Sequence, residues 1–132
     1  MRIATVLILC VVSLAGCGDL PDEADTEAAG PPVEVASVDL AKAYAANEAA
    51  AQQQYGGHTL VVSGRVQSID LDFMDEPVVV LPGADEFTSV QAKLAESHHD
   101  AAGSLNKGQE IAVTCTELTE IVGSPMLDNC TF

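Results

Sequence analysis

The stretch Asp70-Leu71-Asp72-Phe73-Met74-Asp75-Glu76 sets four carboxylates in seven residues. Hard cations such as calcium take oxygen ligands from loops of this composition. It is not an EF-hand loop, because Met74 stands where a third ligand belongs and no glycine makes the sharp turn. An acidic connection also serves solubility alone, so no metal is assigned, and Asp70, Asp72, Asp75 and Glu76 stand as candidates only. Phe73 and Met74 at the same tip offer a small docking spot for a partner. His98-His99-Asp100 has the residue types for metal or acid–base chemistry. Adjacent side chains on a helix diverge, however, and no third ligand follows at a useful spacing. The pair reads as a solvent-exposed face. Asp85-Glu86 has no partner acid or nucleophile, and no G-x-S-x-G, P-loop or dinucleotide fingerprint occurs. No enzyme and no cofactor are expected.

These residues need elements to hold them. From Val38 to Tyr55 the chain is rich in Ala, Gln and Glu, which favour helix. Ser37 suits the N-cap, with Asp39 in the first turn at the positive end of the dipole. Leu40, Tyr44, Asn47, Ala51 and Tyr55 recur at helical spacing on one face, and Gly56-Gly57 ends the run. Asn47 on that apolar face needs a hydrogen-bond partner, and a structural bond to the sheet or a loop is expected. His58 to Asp70 alternates as a long first strand, with Ile69 out of phase and Gly64 giving it room to coil. Glu76–Leu81, Phe87–Leu94, Gln109–Glu117 and Met126–Thr131 read as four more strands, and Glu96–Leu105 as a short helix or loop. Val78-Val79-Val80-Leu81 is apolar on both faces, so its outer face is expected to lie under the first helix or another chain.

Charge narrows the partners. Five Lys and Arg face twenty Asp and Glu, a net charge of −15. Affinity for nucleic acid depends on neutralising phosphates with Lys and Arg. Single-strand binding on a small barrel also uses aromatic platforms in a basic groove. Strands two and three offer Lys93 as the one base and Phe87 as the one aromatic, at an edge. No nucleic-acid partner is expected.

Arg2, the non-ionic run Ile3–Leu14 and the sequence Leu14-Ala15-Gly16-Cys17 resemble the signal and lipobox of bacterial lipoproteins. The run is short of the roughly 20 residues that a spanning helix needs, and it matches the apolar core of a signal peptide. The resemblance implies removal of residues 1–16 and lipidation of Cys17, with two or more acyl chains holding the protein firmly to the membrane. Removal takes away Arg2 and no acid, so the mature body is one unit more negative than the whole chain. Gly18 rather than Asp after the cysteine implies the outer membrane, facing the periplasm. Residues 17–36, acidic and Pro-rich, read as a disordered tether. In that oxidising compartment Cys115 and Cys130 remain as an even pair. Neither has a C-x-x-C or a nearby His, and a structural disulfide is favoured over a half metal site or a redox pair.

The expected element order is βββαββ, that of the OB-fold, a five-stranded Greek-key barrel. Here it is preceded by an N-terminal α-helix, with one short helix between strands three and four. Leu40-Ala41-Lys42-Ala43-Tyr44-Ala45-Ala46-Asn47-Glu48, Tyr55-Gly56-Gly57-His58-Thr59-Leu60-Val61-Val62-Ser63-Gly64-Arg65-Val66, Lys107-Gly108-Gln109 and the two late cysteines resemble the bacterial tRNA_anti-like OB-fold family. The resemblance covers residues 37–132. It implies a fold and carries over no catalytic or binding residues. The expectation is a mainly β, membrane-anchored envelope lipoprotein acting as a binding or protein-interaction module. The alternatives are a structural accessory subunit of an envelope complex and a divalent-cation-binding domain using the 70–76 loop.

Overall fold

The computed structural model describes residues 30–132. The expected signal segment, Cys17 and most of the acidic segment lie outside them. The described chain runs β1 (Val33–Ala36), α1 (Ser37–Ala46), α2 (Glu48–Tyr55), β2 (Leu60–Arg65), β3 (Ser68–Leu71), β4 (Pro77–Pro82) and β5 (Ser89–Leu94). A 3-10 turn at Glu96–His98 leads into α3 (His99–Ala102), and β6 (Glu110–Ile121) and β7 (Ser124–Thr131) complete it.

The strands form one mainly antiparallel sheet in the order β1-β2-β6-β7-β5-β4-β3, with parallel pairs at β1–β2 and β5–β7. β1 and β3 are its edges, and no hydrogen-bonded ladder joins them. The expected long first strand is therefore two short ones, β2 and β3, at distant places in the sheet. The join is abrupt. The Val66 amide donates to the Gln109 carbonyl beside β6, and the next amide, Gln67, donates to the Val80 carbonyl of β4. One peptide thus changes partners, which is the physical content of Ile69 falling out of phase.

Leu60, Val62 and Val66 face the core with Val79, Leu81, Val90, Ala92, Leu94, Val113 and Leu127. Leu40, Ala41 and Tyr44 of α1 join the same cluster. The first helix therefore packs on the core side of β4, against Val79 and Leu81, and does not cover the outer face as expected. Val78 is left on that outer face. At the start of α1, Ser37 is buried and caps nothing, and Ala36 is the N-cap. A Cβ on Gly64 would meet Ser37 Oγ at 2.8 Å. Gly64 is there to let α1 approach β2.

Three further expectations are corrected. Val33–Ala36, expected as the end of an unstructured tether, is a strand that pairs in parallel with Leu60–Ser63. The single helix 38–55 is two, broken at Asn47, whose backbone is extended (φ −162°, ψ 97°). Asn47 is exposed and its Oδ1 accepts from the Ala50 amide at 3.0 Å, so it caps α2 and makes no bond to the sheet. The last two strands run on to a tight hairpin at Val122-Gly123, both at positive φ (53° and 78°). Glu120 Oε1 accepts from the Gly123 amide across that turn.

Cys115 and Cys130 stand directly opposite each other on β6 and β7 and are joined as a disulfide, with Cα atoms 4.1 Å apart. Both are fully buried.

Candidate functional site

Register places two rows of side chains across the outer face of the sheet. Asp70, Val78 and Lys93 are successive partners on β3, β4 and β5. Ser68, Val80, Gln91, Met126 and Thr119 form the next row, reaching β7 and β6. Directly paired residues share a face. Over these rows lies a cleft of about 330 Å³, lined by Val78, Gln91, Lys93, Met126, Leu127 and Asp128, with Asp72 and Phe73 of the β3–β4 connection at its rim.

That connection is folded by its own acid. Asp72 Oδ1 accepts from the Met74 amide at 2.7 Å and from the Glu76 amide at 3.0 Å. Asp72 Oδ2 lies 3.3 Å from Lys93 Nζ, and Glu76 Oε2 pairs with the same ammonium. The Glu76 amide is the main cause of a carboxyl held below the usual carboxylate range at Asp72, with burial opposing and the Met74 amide and Lys93 adding to it. Lys93 is raised above its ordinary value, chiefly by its hydrogen bond to Glu76. Two carboxylates therefore neutralise the one base of the cleft. The same two acids, engaged with backbone amides and Lys93, are not gathered on an open ligand shell. Asp70 accepts from Ser68 Oγ, and Asp75 is exposed at φ 63°. Among the described residues no group of three His, Cys, Asp or Glu is placed to hold a metal ion.

On the other wall, β7 is bulged. Ala92 pairs with Leu127 but Leu94 pairs with Cys130, so one extra residue is fitted between them. Strict alternation cannot bury both Leu127 and Cys130; the bulge can, with Asn129 in the left-handed region (φ 52°). Its Nδ2 donates to Thr116 Oγ1 at 2.7 Å. The result is that Asp128 stays at the cleft rim, directly opposite Glu117 of β6. Among the described residues, no Lys, Arg or His forms a salt bridge with either acid.

The other expected sites are scattered. His98 sits against Ser97 Oγ (3.0 Å) and edge-on to the Phe132 ring (5.5 Å between centroids), whereas His99 Nε2 lies 3.1 Å from the Leu94 carbonyl. The two histidines diverge as expected, but they are half-buried rather than solvent-exposed. The bulge, Asp128 and Met126 were not read from the sequence as site residues. The one available signal was the apolar pair Leu127 and Cys130 at an odd spacing. Exposed apolar side chains flank the sheet at both ends: Leu71, Phe73 and Met74 at the β3–β4 connection, and Phe87, Ile121 and Val122 at the hairpins before β5 and β7. No described helix is long and apolar enough to cross a membrane.

The sequence model of a family described as tRNA_anti-like matches residues 2–131. No curated protein matches the chain. Among solved structures, it is similar to a "putative nucleic acid-binding lipoprotein" from Klebsiella pneumoniae subsp. pneumoniae MGH 78578. The TM-score is 0.57 at 13% identity, covering 74% of this chain and 90% of that one. At that identity the likeness is one of fold.

Proposed function

The chain belongs to the tRNA_anti-like family, and from that premise we propose that it is a cell-envelope lipoprotein whose domain is a non-enzymatic binding module. In this reading β2 and β3 count as one bent strand, so the domain is a five-stranded OB-type barrel with β1 and the helical pair added at its start. Lipid on Cys17 holds it to the membrane, with the outer membrane as its destination and the periplasm as the side it faces. The cleft over β4, β5 and β7 carries the reading, since concave, mostly apolar sites with a few convergent polar groups are where ligands are held. The residues that face it include no nucleophile beside a base.

Nucleic acid does not fit the same cleft. Lys93, the one base lining it, is neutralised by Asp72 and Glu76, and Asp128 adds negative charge with no salt-bridge partner among the described residues. A phosphate backbone requires the opposite balance. We therefore propose no nucleic-acid partner for this chain.

A two-part experiment tests the reading. The wild-type chain fractionates with membranes, and Cys17→Ser releases it to the soluble fraction. A fluorescent oligonucleotide of about 16 nucleotides shows no gain in anisotropy at about 50 mM salt, where phosphate contacts count most. Membrane retention of the Cys17→Ser chain, or salt-sensitive oligonucleotide binding, would overturn it.

A structural accessory subunit is favoured by one separate observation. Val122 is 96% exposed at φ 53°, and Phe87 is 88% exposed at the neighbouring hairpin. A β-branched residue in the left-handed region is an outlier, and here it presents an apolar side chain to solvent.

A further inference from the structure

Resting on the binding-module reading, we propose that the cleft takes a basic, partly apolar peptide segment of a protein partner, its Lys or Arg side chain anchored at Asp128 and Glu117. The charge pattern is the starting point. Like charges directly opposite on paired strands destabilise a sheet, yet Glu117 and Asp128 face each other with no described base in salt-bridge reach. The nearest base by register is Lys93, which would pair with Asp128 one step beyond Ala92 and Leu127. Its ammonium turns the other way, to Asp72 and Glu76. Both acids are exposed, so a cation brought by a partner can reach them.

The bulge argues the same way. Bulges recur beside functional sites because they re-aim a side chain, and this one holds Asp128 at the cleft with Asn129 in a conformation that most residues avoid.

Size and surroundings choose a peptide over a small solute. The volume of about 330 Å³ is at the lower end of ligand pockets, roughly 300–1,000 Å³, enough for an anchor side chain with its flanking backbone. The apolar surface does not stop at the cleft. Phe73 is 96% exposed at its rim, and Met74 is exposed beside it in the same connection. Exposed aromatic and methionine side chains are enriched at protein-docking surfaces.

The test uses the full chain in detergent micelles and three blocked synthetic peptides of equal length: alternating Lys and Phe, Glu and Phe, and Ser and Phe. Backbone amide shifts locate binding, and fluorescence anisotropy gives affinity. The Lys–Phe peptide is expected to shift the amides of Lys93, Leu127, Asp128 and Glu117 and to weaken with salt, the screening length being about 8 Å at 0.15 M. Asp128→Asn and Glu117→Gln should each weaken it by up to about fivefold, as for exposed ion pairs. Phe73→Ser should weaken it with the salt dependence unchanged. Equal binding of the Ser–Phe peptide would overturn the cationic anchor while leaving the cleft as a binding site. Spermidine binding as tightly as the Lys–Phe peptide would assign the cleft to a soluble polycation instead. If no peptide moves the cleft amides at millimolar concentration, both this inference and the site assignment fall. Self-association that shifts the same amides without peptide would make the occupant a second copy.

Discussion

Asp72 shows how much one side chain can be asked to do. Its Oδ1 closes the connection onto the Met74 and Glu76 amides, and its Oδ2 meets Lys93. Its folded pKa lies below the unfolded value of about 3.9, so its contribution to stability is present above that value. It is lost as pH falls through the folded pKa. Melting temperature against pH for wild type and Asp72→Asn should therefore run apart and parallel from neutrality to about pH 5, then converge below about pH 4. A constant gap into strong acid would mean that the carboxylate charge plays no part. The sequence showed the acids of this loop, but not that Lys93, remote along the chain, would neutralise two of them. That pairing depends on β4 bringing the loop back beside β5. Asn47 misled for a related reason: helical spacing put it on the apolar face, and the same short polar side chain that suits a cap let the helix break there.

At the scale of elements, strand positions and core-facing alternation were legible, because period-two patterns in Leu60–Val66 and Ser89–Leu94 leave one register that buries the apolar set. What alternation cannot express is a change of partner. The β2–β3 break and the β7 bulge both arise where consecutive residues serve different neighbours, and β1 is too short after its prolines to carry a pattern at all. The close approach of α1 to β2 gives the prediction at this scale. Gly64→Ala should cost about 1–3 kcal/mol through overpacking against Ser37, measured by urea unfolding. Ser37→Gly should recover part of it in the double variant, the coupling expected of residues in contact. Additive losses would mean that the two positions do not meet.

For the whole molecule, the disulfide links β6 to β7 in the middle of the sheet, where Cys130 also lies beside Leu94 of β5. Replacing both cysteines with Ala should lower unfolding free energy by up to about 3 kcal/mol, the chain-entropy value for a loop near 15 residues. Guanidinium titrations with and without reductant should shift the wild type towards the variant and leave the variant unmoved. The cysteine pairing and the acidic balance were readable from the sequence, since both follow from counting. The cleft was not, because it is made by register. The domain is entered through β1, a four-residue edge strand parallel to β2. A pull on residue 30 along the strand axis loads the β1–β2 hydrogen bonds together, in shear. A pull away from the sheet edge opens them one after another, as a zipper. The grip of the domain on its own leading end is thus set by the direction of the load.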